Sequence, residues 1–361
     1  MVSEPYGGKL VVQPVGSLDG LKTFEITKTY AFDAEKIALG AYSPVSGFMN
    51  SSEIESVLGR SELPNGLPWT IPIFLEAPEG VSEGEEIALS YNGSKFASMS
   101  IDEKFSFDLK KLASGMYGTI DITHPGVAGT LSINPTFISG KVRLFKRITS
   151  DTSPSEARQI FNSFKWEKIA AFQTRNPPHM AHEYIMRCAL ELMDGVFINP
   201  VTGEVKPDDF PPEATSEAYQ HFVRLFLPPN KVFLSNLTIA MRYAGPKAAV
   251  LLAIIRKNYG CTHFIVGRDM AGVGKFYGRY SAQEMLKNLD LGIELLTFNE
   301  AFHCKKCNSI ATEKTCRHED DRINISMTKI REMLREGKKP PSEMIRPEIS
   351  EILEKYIKPA N

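Results

Sequence analysis

The sequence predicts an α/β protein with a separate, mostly β N-terminal unit, and three observations carry that prediction. From about residue 168 to 298, short apolar runs alternate with helix-length segments, the pattern of a parallel sheet with right-handed crossovers. The first 150 residues differ: short apolar or β-branched runs are cut repeatedly by Pro44, Gly47, Pro64, Gly66, Pro68, Pro72, Pro78 and Gly80, the punctuation of strands and turns. The composition, 42% hydrophobic and 24% charged over 361 residues, is that of a chain with a real core. It excludes a disordered, collagenous or coiled-coil protein and suggests about two or three domains.

In order, the N-terminal strands are expected at Lys9–Gln13, Ile71–Leu75, Glu86–Leu89 and Val142–Phe145, with helices at Asp33–Leu39 and Ser52–Leu58. This reads as a barrel-like unit. Asp151-Thr-Ser-Pro-Ser-Glu156 is a helix-capping signal for a helix running through Phe164. Strands then follow at Lys168–Phe172, Gly195–Asn199, Lys231–Ser235, Thr262–Val266 and Ile293–Phe298. Between them lie helices at Met180–Met193, Ser216–Leu227, Lys247–Asn258 and Ala282–Asn288. The tail from Met327 to Lys358 is expected to be helical, hinged at Pro340-Pro341. The implied boundaries are 1–150 for the mostly β N-terminal unit, 151–322 for the α/β unit and 323–361 for a small helical C-terminal unit.

Lys+Arg is 42 and Asp+Glu 43, a net charge of −1, so no polyanion partner such as nucleic acid is expected. The longest apolar stretch, Ala248–Ile255, is far too short to span a membrane. The N-terminus lacks the basic and apolar regions of a secretory signal. Five cysteines, three of them between 304 and 316, do not form a disulfide framework, so a reducing cytoplasm is expected.

In a parallel α/β sheet, ligands bind beyond the carboxyl ends of the strands. The loop after Lys168–Phe172 reads Gln173-Thr-Arg-Asn-Pro-Pro-His179-Met-Ala-His182-Glu183. It places a dense polar cluster at a helix N-terminus, which suits an anion. Arg175 can grip an oxyanion with its fork of donors, and His179 and His182, three apart, can share one face of the first turn. Core packing explains one such histidine more readily than two beside Gln173, Arg175 and Asn176. Metal ligation by the His pair is the lesser alternative, since no third ligand follows at metalloprotease spacing.

The loop after Thr262–Val266 reads Gly267-Arg-Asp-Met-Ala-Gly-Val-Gly274. Its glycines allow close approach to a phosphate or sulfate, and Arg268 adds charge. It is not a P-loop. Met241-Arg-Tyr-Ala-Gly-Pro246 precedes a helix; Arg242 either faces the site or is a solvated loop residue. Ser326 and Thr328 either cap a helix or turn its start towards phosphates, assisted by Lys329 or Arg331.

Cys304-x-x-Cys307 followed by Cys316-x-His318 has the residue types of a closed tetrahedral Zn2+ site in an insertion at 303–318. His303 stays an alternative fourth ligand. A redox C-x-x-C is disfavoured because no strand-to-helix start surrounds it. Cys188 and Cys261 read as packing residues.

The Gln173–Glu183 string resembles the Q-x-R-N-P-x-H-x-x-H-E motif of ATP sulfurylases (sulfate adenylyltransferases), and Gly267-Arg-Asp-Met-Ala-Gly their G-R-D-H-A-G motif. Met241–Pro246, Gly40-Ala-Tyr-Ser-Pro-Val-Ser-Gly-Phe-Met49 and His124-Pro-Gly-Val127 resemble further family segments. The likeness runs from about residue 20 to 356, five motifs in order, and the cysteine insertion is similar to that of bacterial and archaeal members. It implies a PUA-like N-terminal domain, a Rossmann-like nucleotidyltransferase domain and a small C-terminal domain. It also implies a homodimer and reversible formation of adenosine 5′-phosphosulfate and pyrophosphate from ATP and sulfate. Physiologically that means either sulfate activation or ATP synthesis. A kinase domain, found in some relatives, is not expected, for there is no Walker motif. One departure is Met270, where the family carries histidine.

On this resemblance the expected roles are as follows. Gln173, Arg175, Arg268 and the backbone N–H of Ala271 hold sulfate, while Thr174, Arg175 and Asn176 act at the reacting phosphate. His179 and His182 bind the β- and γ-phosphates, Asn176 also contacts nucleotide, and Gly267 and Asp269 face the adenosine. Mg2+ arrives with ATP. Two rivals are a nucleotidyltransferase with another acceptor and an RNA-binding protein; the charge balance speaks against the latter.

Overall fold

A computed structural model describes residues 2–13, 18–203 and 209–357. The N-terminal part runs β1 (Lys22–Glu25), α1 (Lys28–Ala38), β2 (Gly47–Phe48), α2 (Ser51–Arg60), β3 (Leu75–Glu76), β4 (Glu86–Tyr91), β5 (Ser94–Ser100), β6 (Glu103–Ser106), α3 (Leu109–Tyr117), α4 (Pro125–Leu131) and β7 (Thr136–Leu144). The sheet is ordered β1-β4-β5-β7-β2, and β7 also pairs with β3 and β6. One long strand thus serves several short partners, which wraps the sheet about it. Asp108 caps α3 by accepting from Lys110 N and Lys111 N, and Gly118 ends it at φ 72°.

The rest runs α5 (Pro154–Ser163), β8 (Ile169–Thr174), α6 (Met180–Leu192), β9 (Gly195–Pro200), α7 (Pro212–Phe226), β10 (Val232–Leu234), α8 (Pro246–Tyr259), β11 (His263–Val266), α9 (Ser281–Lys287), β12 (Glu294–Thr297), β13 (Phe302–Cys304), β14 (Ser309–Ala311), β15 (Arg322–Asn324), α10 (Met327–Arg335) and α11 (Pro347–Glu354). Ser153 and Glu156 form the capping box of α5 that the sequence signalled. The central sheet is parallel, ordered β10-β9-β8-β11-β12. The chain order reverses between β8 and β11, so the loops leaving these neighbours diverge and open a crevice.

Helix α8 is buried from Ala248 to Tyr259: its run Ala248–Ile255 has no polar face, as a helix buried on every side requires, and the polar Arg256, Lys257 and Asn258 at its end are buried with it. It lies in a core shared with the N-terminal sheet, whereas α6, α7, α10 and α11 cover the other face of the parallel sheet. Polar ties cross the same boundary. Asn258 accepts from Tyr6 N and donates to Ala41 O and Ser43 O. Buried Lys36 sits 2.8 Å from both Glu35 and Asp151, and Asp151 accepts the N–H and hydroxyl of Thr238. No helix among the described residues is long and apolar enough to cross a membrane.

Three expectations fail locally. Lys9–Gln13 is not a strand: Val11 N donates to Ser43 Oγ and Gln13 N to Ala38 O instead of to a strand partner. Ile71–Leu75 becomes regular only at Leu75, because Pro72 lacks a ladder donor. The tail is not one hinged helix. Helix α10 stops at Arg335, Gly337 adopts φ 69°, and α11 begins only at Pro347. Lys358 lies outside the described residues.

Candidate functional site

The loops after β8 and β11, the segment before β13 and the start of α10 enclose a cleft of about 570 Å³. Gln173, Thr174, Arg175, Asn176, His179, His182, Gly267, Arg268, Asp269 and Ala271 all line it, with Met270, Ser326, Thr328 and Arg331.

The β8 loop is shaped by its own polar groups. Asn176 N donates to Thr174 Oγ1 at 3.0 Å, which turns the chain as it leaves the strand. Gln173 lines the cleft with Oε1 buried and without a hydrogen-bond partner among the described residues, as suits a group that meets a ligand. His179 caps α6, its Nδ1 accepting from His182 N at 3.3 Å. The two imidazoles stack with centroids 3.7 Å apart, and His182 Nδ1 lies 3.3 Å from Tyr219 Oη. Burial pushes the His179 imidazole down to about 4, and burial followed by its histidine neighbour takes His182 well below the ordinary value. Both rings are therefore neutral at pH 7 and offer N–H donors rather than charge.

This depression has a sign in the pH–stability curve. The unfolded chain binds protons near the ordinary value of 6.5, the folded one near 4 at His179. The contribution is complete above 6.5 and is lost as pH falls towards 4, with a slope of at most about 1.4 kcal/mol per pH unit for each ring. The thermal midpoint is expected to fall across this window, less steeply in His179→Asn, which keeps a capping oxygen. An identical slope in the variant would contradict it.

Each cleft arginine has a carboxylate beside it. Arg175 Nε is 3.8 Å from Asp209 Oδ2, and Arg331 Nη1 is 3.3 Å from Asp209 Oδ1. Arg268 Nη1 is 2.9 Å from Glu300 Oε1. The Arg175 guanidinium lies 5.4 Å from the centre of the Tyr243 ring, a cation–π contact. The β11 loop is held by left-handed residues, Asp269 at φ 53° and Ala271 at φ 57°. Asp269 folds over Gly272, where a Cβ would lie 2.4 Å from its Oδ1.

Asp209 and Glu300 were not singled out from sequence, since nothing local distinguishes them, and Tyr243 was noted only as part of the Met241–Pro246 segment. Arg242 does neither of the things expected of it: its guanidinium is largely buried against Asp33 of α1, away from the cleft. Glu183 also turns away, accepting bidentately from Arg346 at 2.6 and 2.7 Å and tying α6 to the cap of α11. Lys329 does not line the cleft; Arg331 does.

Cys304, Cys307, Cys316 and His318 converge, their ligand atoms all within 4.8 Å of one another. Cys307 Sγ to Cys316 Sγ is 3.8 Å, and His318 Nδ1 is 3.2–3.6 Å from the three sulfurs. Metal–sulfur bonds of about 2.3 Å in a tetrahedron give edges of about 3.8 Å, so the quartet fits one metal ion. The backbone N–H of Cys307 and of His318 point at Cys304 Sγ and Cys316 Sγ, which steadies thiolates. His303 stays outside, buried, with Nδ1 unpartnered among the described residues.

A family model for ATP-sulfurylase matches residues 149–356, and one for a PUA-like domain residues 11–147. The sulfate adenylyltransferase of Hyperthermus butylicus is 43% identical, covering 99% of this chain and 97% of its own. That of Persephonella marina is 42% identical, covering 98% of each. A solved structure described as a hexameric APS kinase from Thiobacillus denitrificans superposes with a TM-score of 0.77 at 21% identity, over 99% of this chain and 69% of that one, a likeness of fold alone. With near-complete coverage by such relatives and a family model spanning the parallel sheet and its cleft, this chain belongs to the ATP-sulfurylase family.

Proposed function

We propose that this chain is a sulfate adenylyltransferase, joining ATP and sulfate into adenosine 5′-phosphosulfate and pyrophosphate. The observation that carries the reading is the meeting of Gln173, Arg175, Arg268 and the His179–His182 pair in one cleft of an ATP-sulfurylase chain. Sulfate is already ionised at neutral pH, so no general base is required. An oxygen of sulfate attacks the α-phosphorus, the bond from that phosphorus to the bridging oxygen breaks, and pyrophosphate leaves. The obstacle is bringing a dianion to a tetra-anion, so positioning and charge neutralisation dominate.

In this reading Gln173, Arg175, Arg268 and the Ala271 N–H hold sulfate. Thr174 and Asn176 orient the α-phosphate. The neutral rings of His179 and His182 donate to the β- and γ-phosphates and follow the leaving pyrophosphate. Gly267 and Asp269 contact the adenosine. Met270 offers an apolar surface in place of an imidazole. Mg2+ accompanies ATP and screens its phosphates. The Cys3His quartet holds zinc, chosen by ligand softness, in a structural role. The division at residues 150 and 322 assigns binding chemistry to the middle domain, with the tail closing one wall. A cytoplasmic homodimer completes the proposal; the free thiols suit a reducing compartment.

The test supplies Mg-ATP, sulfate and pyrophosphatase and follows sulfate-dependent phosphate release; the reverse assay supplies adenosine 5′-phosphosulfate and pyrophosphate and follows ATP. Activity in both is expected. Activity only with another oxyanion in place of sulfate would keep the nucleotidyl transfer and overturn the acceptor. Silence in both from folded protein would overturn the function.

A further inference from the structure

We infer that His124, a residue of the N-terminal domain, is a positioning residue for the sulfate arginine, acting through Tyr243. The inference rests on the reading of Arg175 as a sulfate ligand.

His124 is fully buried, and its partners determine its protonation. Nδ1 accepts from Gly126 N at 3.1 Å and Val127 N at 3.3 Å, capping α4, so it carries no proton. Nε2 lies 3.2 Å from the Tyr243 carbonyl, which can only accept, so Nε2 carries the hydrogen. The Tyr277 hydroxyl, 3.1 Å from the same nitrogen, donates its own proton to Tyr117 O. The ring is thus a neutral spacer with one face of its chemistry in the N-terminal domain and the other on the segment before α8.

That segment is held in an uncommon shape. Tyr243 has φ 52° and Gly245 φ 53°. A Cβ on Gly245 would stand 2.5 Å from the Tyr277 ring, so only glycine lets Tyr277 close over the turn. Gly245 N donates to Ala271 O, joining this turn to the β11 loop. A non-glycine residue at positive φ persists only where its surroundings over-determine it. Here the His124 donation to the Tyr243 carbonyl is one of those determinants, and the consequence is the place of the Tyr243 ring beside the Arg175 guanidinium. Asp209 also approaches Nε. Arg175 is therefore steadied by a carboxylate and an aromatic face, and the aromatic face is set from another domain.

His124→Asn separates this role from capping, because the asparagine oxygen can still accept from the first turn of α4 but cannot reach Tyr243. Its KM for sulfate is expected to rise about fivefold, the scale of a lost cation–π contact, with the KM for ATP within about twofold of the parent. Tyr243→Leu, which spares His124, should give the same sulfate-specific rise, and the double variant should add nothing to it. Unchanged sulfate KM in His124→Asn, equal rises for both substrates, or additivity in the double variant would overturn the inference. If His124→Asn does not fold, an unchanged sulfate KM in Tyr243→Leu overturns it instead. An Arg175→Ala arm keeps the failures apart: if that variant retains normal sulfate kinetics, the assignment of Arg175 itself is what fails.

Discussion

Arg175→Ala is expected to lower sulfate-dependent turnover by about 10²–10³-fold, the usual effect of removing one preorganised donor from a developing anionic site. The guanidinium is the part of the β8 loop best placed for an oxyanion: it lines the cleft, and its Nε side is directed at Asp209. The loss falls on the anion and spares the nucleotide, so ATP binding by calorimetry should survive. Arg175→Lys should recover only part of the activity, because an ammonium restores charge without the planar fork. Removal of the arginine also leaves Asp209 with Arg331 as its remaining close cation among the described residues, so an added repulsion towards sulfate contributes to the defect. An Arg175→Ala enzyme with ordinary sulfate kinetics would remove the assignment.

Removing the metal from the Cys3His quartet is expected to cost about tenfold or more in kcat/KM without unfolding the parallel sheet. The reason lies in the short sheet β14-β13-β15. Cys304 pairs with Arg322 and Phe302 with Asn324 across β13 and β15. The other ends of these strands run directly into cleft residues: Asn299, Glu300 and Ala301 before β13, and Asn324 at the end of β15 with Ile325 to Thr328 after it. The quartet thus clamps the far end of a lever whose near end is the cleft wall. Its apolar support is small, chiefly Phe302, Cys304, Ala311 and Cys316, so a metal bound by the quartet would supply much of the order, as in other small metal-organised units. Cys304→Ser protein should contain no stoichiometric zinc, show new protease cleavage between residues 305 and 320, and bind sulfate and ATP more weakly. Full activity and unaltered protease resistance in metal-free protein would refute the clamp.

The parallel sheet was legible because its strands are short apolar runs separated by helix-length segments; β8, β9 and α6 fall within a residue or two of their expected places. The N-terminal sheet was less legible. Strands such as β6, Glu-Lys-Phe-Ser, alternate in exposure and pair with β7 from far along the chain, and tertiary pairing of that kind leaves little local trace. The same distinction holds for the cleft. Gln173 to His182 announce themselves as a polar cluster where a strand meets a helix. Asp209 and Glu300 act as neighbours of those residues, and neighbourhood across about 30 positions is written only in the fold; Tyr243 and His124 stand in motif-like segments, but their link to Arg175 shows only in three dimensions. Arg242 shows the converse: a charged residue in a family motif whose partner, the buried Asp33, makes it part of the domain boundary.

The cleft wall formed by Ser326, Thr328 and Arg331 also sets a timetable. A ribosome making this chain releases the arginine–histidine loop about 150 residues before it reaches Arg331. At roughly 5–20 residues per second that is an interval of about 8–30 s. The β11 loop joins the cleft part-way through that interval, but the wall from Asn324 to Arg331 comes last. Until then the parallel sheet must hold by its own packing, without a complete site to bind substrate.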